Sequence, residues 1–351
     1  DQGNAASADI DALIDQDNNV AASQSLVADN KCSGTGSLTS NCDNIVALNS
    51  IDEVTQGNQA ENILDASSTQ FNNAVFNQNM VLLNHCDETE LGSGDASCVN
   101  LEPANIIGPL IQTSINSAGF EALGATITQS NDAQVTQDLQ AINDCDESGV
   151  GDNEAACRYD TDNFVSEISQ SNLGLVADDY IQNNLVAISQ DIDAQNNCDE
   201  SGDGNNGDTT DTCVSVLTNN ILTVTQANTA SGSESADISE GNHITSMNQD
   251  ILADNTCGQS GPGDNLVECR NIPQNGIAPI TQTNAATADL FSDITQDNDA
   301  AYSQGIDVNN DCDESTLVAG SENNDASCDN VALNSVEPIV QANAATANDD
   351  S

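Results

Sequence analysis

The chain has no tryptophan, two methionines, three tyrosines and five phenylalanines in 351 residues. Aromatic side chains normally dominate the core of a protein this long, so an ordinary aliphatic and aromatic core is excluded. Basic residues are scarcer still. Lys and Arg number three (Lys31, Arg158 and Arg270) against 57 Asp and Glu, a formal net charge of −54. Nucleic acids and anionic membranes are therefore excluded as partners, because no cationic surface exists to meet them. No apolar run is long enough to cross a bilayer, which excludes membrane insertion as a helix. The only histidines are His85 and His243, no phosphate loop or nucleotide fingerprint occurs, and paired carboxylates are too frequent to single out a site. The chain is read as not an enzyme, with no cofactor required.

High charge with few aromatics would suggest disorder. What is present argues otherwise. In ITQDNDAAYSQGIDVNNDC (Ile294 to Cys312), nearly all apolar residues and amides fall on one parity, and Asp, Ser, Thr and Gly fill the other. A period of two means an extended chain with one face turned inward. That face carries Gln and Asn, whose burial is costly unless every donor and acceptor is satisfied. An identical amide one strand spacing above and below satisfies both. The copies exist. They start at Ile14, Ser68, Ile127, Tyr180 and Ile238 and end at Cys32, Cys86, Cys145, Cys198 and Cys257; the fifth has one extra residue before Gln249, and Glu240 in place of its first Gln.

A shorter motif, hydrophobic-x-Q-x-N-x-A, precedes each long one. Its markers Gln2, Gln56, Gln112, Gln170, Gln226, Gln282 and Gln341 recur about every 56 residues, near the range of stacked repeat architectures. The expected fold is all-β: a β-solenoid of about six such rungs in one domain. The repeats are residues 2–55, 56–111, 112–169, 170–225, 226–281 and 282–340, with a partial repeat at 341–351. Within each repeat the pattern predicts a strand after the second cysteine, a bend marked by Pro109, Pro279 or Pro338, the short strand, a small turn, and the long segment bent near N-x-A into two strands. Helix is disfavoured because Asn, Asp, Ser, Thr and β-branched residues fill the repeats. The expected amide ladder comprises the seven short-motif glutamines, Gln16, Gln70, Gln129, Gln182 and Gln296 of the long motif, and Asn18, Asn72, Asn131, Asn184, Asn242 and Asn298.

Twelve cysteines bracket six acidic loops of variable length. Pairing within each loop joins Cys32–Cys42, Cys86–Cys98, Cys145–Cys157, Cys198–Cys213, Cys257–Cys269 and Cys312–Cys328. The rival is pairing between stacked cysteines of successive rungs, roughly 4.8 Å apart. Either way, an even count at regular spacing fits an oxidising compartment. With no signal peptide at Asp1, the chain is read as the mature form of an exported, extracellular protein. In the longest glycine-rich loop Asp199, Asp203 and Asp208 offer oxygen ligands suited to calcium. They do not follow the EF-hand order, and that mismatch favours solvated acidic loops over a calcium site.

At N-x-A-x-x-x-Q the sequence resembles the curlin repeats of curli, a bacterial functional amyloid. The matching stretches run from Asn72 through Ala74 to Gln78, from Asn131 through Ala133 to Gln137, and from Asn298 through Ala300 to Gln304, each with a Gln two residues earlier (Gln70, Gln129, Gln296). Curlin repeats are less than half as long, space Gln and Asn differently, and lack cysteine loops. The resemblance implies an exported subunit that polymerises end to end into biofilm-matrix fibres, its partner being itself. Both ends carrying the ordinary repeat motif, with no atypical cap, suits the same expectation. The alternatives are a monomeric adhesin or calcium-binding solenoid, which needs a capped end, and a polysaccharide-acting β-helix enzyme, which needs a cluster that breaks the repeat.

Overall fold

The structure, a computed structural model, describes all of the chain except residues 11–12, 35–38, 46, 65–66, 90–94, 119–124, 150–152, 203–208, 261–264, 290–291, 316–323 and 348–351. The described chain is all-β and contains no helix. The first repeat forms β1 (Gln2–Ile10), β2 (Leu13–Gly34), β3 (Thr39–Ile45) and β4 (Leu48–Ile51). The second forms β5 (Val54–Leu64), β6 (Ser67–Thr89) and β7 (Asp95–Ile107). The third forms β8 (Leu110–Ala118), β9 (Thr126–Gly149) and β10 (Asn153–Val165). Then come β11 (Ile168–Gly202) with β12 (Thr209–Ile221), and β13 (Val224–Ser260) with β14 (Asn265–Ile277). The last strands are β15 (Ile280–Ala288), β16 (Asp293–Ser315), β17 (Asn324–Asn330), β18 (Leu333–Val336) and β19 (Ile339–Ala347).

Every pairing is parallel and joins equivalent positions of successive repeats. Gln2 pairs with Gln56, Gln56 with Gln112, and Gln112 with Gln170. Three ladders result. The first runs β1, β5, β8, the start of β11, the start of β13, β15 and β19. The second runs β2, β6, β9, the rest of β11, the rest of β13 and β16; β11 and β13 unite it with the first in one 11-stranded sheet. The third, an 8-stranded sheet, runs β3 with β4, β7, β10, β12, β14, and β17 with β18. The sequence dictates this register. A slip of one residue would turn every inward side chain outward.

The corners between the third and first ladders are stacked too. Val54, Leu110, Ile168, Val224 and Ile280 donate their N–H to the carbonyls of Pro109, Glu167, Thr223, Pro279 and Pro338, at 2.9–3.3 Å. Gly108, Ser166, Leu222, Ala278 and Glu337 donate to residues 51, 107, 165, 221 and 277. The position between these two donors contributes no N–H to the ladder, and there proline stands without loss.

Two irregularities are local insertions. Thr245 has no partner between Ile244, which pairs with Val186, and Ser246, which pairs with Ala187. It is the extra residue of the fifth long motif, expelled outward as a bulge. In β7, Glu102 and Pro103 lie between the residues that pair with Asp160 and Asp162, and Glu102 adopts φ 55°. One sequence expectation is corrected. The long segment does not divide near N-x-A; β2, β6, β9 and β16 are unbroken, because the ladder hydrogen bonds continue through that position. In β11 and β13 ladder pairing continues through the small turn before the long segment, with register shifts near Ala177. The chain still doubles back there: Asn172 donates to the Asn183 carbonyl and Asn184 Oδ1, and Asn228 to the Gly241 carbonyl and Asn242 Oδ1.

The core is thin and segmented. One cluster joins Ile51, Ile107, Val165, Ile221 and Ile277 of the third ladder to Leu110, Ile168, Val224 and Ile280 of the first and to residues such as Phe76 and Met247 of the second. Another packs Leu82, Leu139, Ile192 and Ile251 against Tyr159 and Leu217. Size is balanced locally. Tyr180 fills a column otherwise held by Ile or Ser, and opposite it Gly174 leaves room where a Cβ would meet the ring at 2.3 Å.

Candidate functional site

The inward amides form columns that run the length of each ladder. In the first ladder each glutamine Nε2 donates to the Oε1 of its predecessor, from Gln56 to Gln2 at 3.5 Å through to Gln341 on Gln282 at 2.7 Å. The same direction holds from Gln70 to Gln16, Gln129 to Gln70 and Gln182 to Gln129, at 2.7–2.9 Å. Asparagines run the other way. Asn18 donates to Asn72, Asn72 to Asn131, Asn131 to Asn184, Asn184 to Asn242 and Asn242 to Asn298, at 2.8–3.0 Å. The second amide hydrogens reach backbone carbonyls across the interior, as from Gln129 to Leu173 and from Asn131 to Ser171. Small buried residues such as Ala60 and Ala230 leave room for the first and second ladders to approach this closely.

Burial matches the bonding. Gln56, Gln70, Gln112, Gln129, Gln170, Gln182, Gln226 and Gln282 are fully buried, as are Asn131, Asn184 and Asn242. Gln16, Asn18 and Asn72 are nearly so. Gln296 and Asn298 are half-buried, and Gln2 and Gln341 in the outermost strands are exposed. Further columns were not singled out from the sequence. Gln24, Gln78, Gln137, Gln190, Gln249 and Gln304 form one, at 2.8–2.9 Å. Asn49, Asn105, Asn163, Asn219, Asn275 and Asn334 form another, at 2.9–3.1 Å. The signal was there: the second Gln of the long motif recurs in all six copies, and an Asn follows each second cysteine by six or seven residues.

Glu240 interrupts one glutamine column. It accepts from Gln296 Nε2 at 2.6 Å, but its Oε1 and the Oε1 of Gln182 on its other side are buried without a hydrogen-bond partner. Burial pushes its carboxyl up to about 7, opposed by the hydrogen bonds from Gln296 and the Ala230 backbone. A protonated carboxyl there has the shape and hydrogen-bonding of the glutamine it replaces, donating to Gln182 and accepting from Gln296.

The cysteines make a buried double column of sulfur. Cys32 pairs in register with Cys86, Cys86 with Cys145, and so on to Cys312; Cys42 through Cys328 do the same. Disulfides join Cys32–Cys42, Cys86–Cys98, Cys198–Cys213, Cys257–Cys269 and Cys312–Cys328, all within a loop. Cys145 and Cys157 take the same register position, but the structure does not join them. Beside them the buried Tyr159 stands where other repeats carry Asn100, Ser215 or Asn271. Its hydroxyl donates to the Gln195 carbonyl at 2.8 Å, and burial raises its pKa well above the ordinary value.

The other candidates do not converge. Asp199 is exposed, and the other two calcium candidates, Asp203 and Asp208, lie outside the described residues. Among the described residues the groups able to supply three metal ligands are cysteine triads within the sulfur column. His85 contacts Asp144 at 3.0 Å on the outward face, and His243 lies far from it, in the column of Leu185, Asp132 and Asn73. A shallow cavity of about 460 Å³ is lined by Thr126, Asp179, Tyr180, Asp237, Ser239 and Asp293, with no basic residue in its described lining. No described helix is long and apolar enough to cross a membrane. The disulfides fit an oxidising environment. No family model matches the chain, and no curated protein or solved structure matches it either.

Proposed function

We propose that the chain is the protomer of an extracellular filament: a β-solenoid of about six rungs, stapled by disulfides, that stacks head to tail on copies of itself. One observation carries this reading. The two ends of the amide columns present complementary halves of one hydrogen bond. At one end, Gln304 and Gln341 donate inward at 2.8 and 2.7 Å, and their Oε1 atoms accept from no described residue. At the other, Gln24 spends one amide hydrogen on the Ser50 carbonyl at 2.8 Å and Gln16 one on Gln59 at 3.1 Å, which leaves each a second. An incoming copy that sets β2 over β16 repeats the internal register, with Gln16 over Gln296 and Gln24 over Gln304.

In that arrangement β19 takes the place of the next copy's β1. The two strands carry the same motif, Gln341, Asn343 and Ala345 against Gln2, Asn4 and Ala6, so the exchange keeps the column chemistry. Backbone edges add to the fit, since β1 and β19 pair on one side only within this chain. The likeness to curlin repeats at Asn72–Gln78, Asn131–Gln137 and Asn298–Gln304 supports the same polymerising role.

Electron microscopy of the purified chain tests the proposal. Filaments are expected, with an axial repeat near 29 Å, six strand spacings of about 4.8 Å. Gln24→Glu, which removes a donor from one end and adds like charge there, is expected to shorten them. Discrete particles at high protein concentration would overturn the reading.

A further inference from the structure

The outward face of the first ladder lacks the charge that covers the rest of the molecule. Its outward columns consist of Thr, Ser, Ala, Gly and one Gln, with the apolar Ile111, Ile115, Leu173, Leu175 and Val340. Glu61 is the only charged side chain in those columns. By contrast, outward positions of the second ladder carry Asp138, Asp191, Asp250, Asp297 and Asp307, and those of the third carry Glu154, Asp160, Asp162 and Glu268. Carboxylates border the neutral face instead: Glu53, Glu167 and Glu337 at the corner on one side, and Asp179, Asp237 and Asp293 on the other. A neutral, partly apolar centre inside a charged rim is the anatomy of a protein interface.

We infer that this face pairs with the same face of a second copy. Charge selects the face: in a molecule with a formal charge of −54 the carboxylate-bearing faces of two copies repel each other most, while the columns of this face carry the single carboxylate Glu61. Area agrees. Seven strands about 4.8 Å apart, eight residues long at about 3.3 Å each, cover roughly 800 Å² per copy, or roughly 1,600 Å² in all, the size of a standard specific interface. The face is flat and its side chains are short, so two sheets mate without large rearrangement, and an isologous two-fold contact places like against like. The acidic rims oppose the approach at low salt. Pairing therefore strengthens with ionic strength, as the Debye length falls from about 10 Å at 0.1 M to about 3 Å at 1 M.

This inference does not depend on end-to-end stacking, and its test is chosen accordingly. Mass per unit length along the ladder axis, from small-angle scattering or scanning transmission microscopy, is unaffected by end-to-end growth. For the full chain it is expected to double between about 0.1 M and about 1 M NaCl. The double variant Thr229→Asp with Ala285→Asp places charge on two exposed outward positions and is expected to stay at the single value. Asn248→Asp, equally exposed but on the second ladder, is expected to double as the parent does. A parent chain that stays single at high salt, or a double variant that still doubles, would overturn the inference. So would a parent chain that stays single and binds uncharged phosphatidylcholine vesicles through this face.

Discussion

At the scale of single residues, stability rests on saturating buried amides rather than on bulk apolar area. Gln137 shows the arrangement in full. It donates to Gln78, to the Asn105 and Phe164 carbonyls, and accepts from Gln190, all at 2.8–3.1 Å. Gln137→Leu keeps the volume but strands these partners, and each buried group left unsatisfied costs about 1–3 kcal/mol. A loss above about 3 kcal/mol is expected in denaturant titration, against less than about 1 kcal/mol for Gln304→Leu at the exposed end. Glu240 gives the complementary case. Its carboxyl is raised from 4.5 to about 7 in the fold. Below pH 4.5 it is protonated in both folded and unfolded chains and costs nothing. As pH rises through that window the unfolded chain loses the proton first, so stability falls and the penalty is complete above about 7, on the order of 3 kcal/mol. Glu240→Gln is expected to match the parent in thermal melts at pH 4 and to exceed it at pH 8. Inward Gln and Asn were legible from parity alone, and so was the Glu240 substitution. That it would leave Gln182 facing another oxygen was not, because donor direction along a column is set by the whole stack.

At the scale of elements, register is the fold. The repeat period, the strands and the extra residue of the fifth long motif were legible because each is a spacing. The unbroken β2, β6, β9 and β16 were not. N-x-A looks like a bend in one copy, yet in a stack each neighbouring strand supplies the ladder bonds that carry the chain across it. The bulge makes the register argument testable. Thr245 is exposed and is tied to the ladder by one long side-chain bond to the Val186 carbonyl at 3.4 Å. Deleting it restores one-to-one pairing with β11 and β16 and is expected to change stability by less than about 1 kcal/mol. Deleting Asp191 from β11 removes a residue that has a partner on both sides. It turns Ile192, Ala194 and Asn196 outward, and the product is expected to be unfolded by circular dichroism. Equal tolerance of both deletions would show that the inward face does not fix pairing.

At the scale of the whole molecule, in-register stacking multiplies whatever it repeats, including repulsion. Asp138, Asp191 and Asp250 occupy one outward column, and Asp191 is raised above its ordinary pKa, first by burial and then by Asp138, Asp250 and Asp193. Asp146 is raised likewise, by burial and then by Asp199, Asp87 and Asp144. Two unit charges one strand spacing apart repel by about 1 kcal/mol in water, and the columns hold many such pairs. Raised carboxyl pKa values mean that stability is lost as pH rises through and above the ordinary range. Salt is expected to restore it by screening. The thermal midpoint should therefore rise from about 0.02 M to about 1 M NaCl at pH 7, with little change at pH 3, where the carboxyls are protonated. The same melt separates screening from a built cation site. At matched ionic strength, equal midpoints in NaCl and CaCl₂ would assign the acidic loops to solvation alone. A further rise in calcium that Asp199→Asn removes would mean that the loop after Cys198 binds the ion, although Asp199 alone of its three acidic candidates lies in the described structure. Screening follows from the fold itself, since a ladder that places every amide over its copy must also place carboxylate over carboxylate.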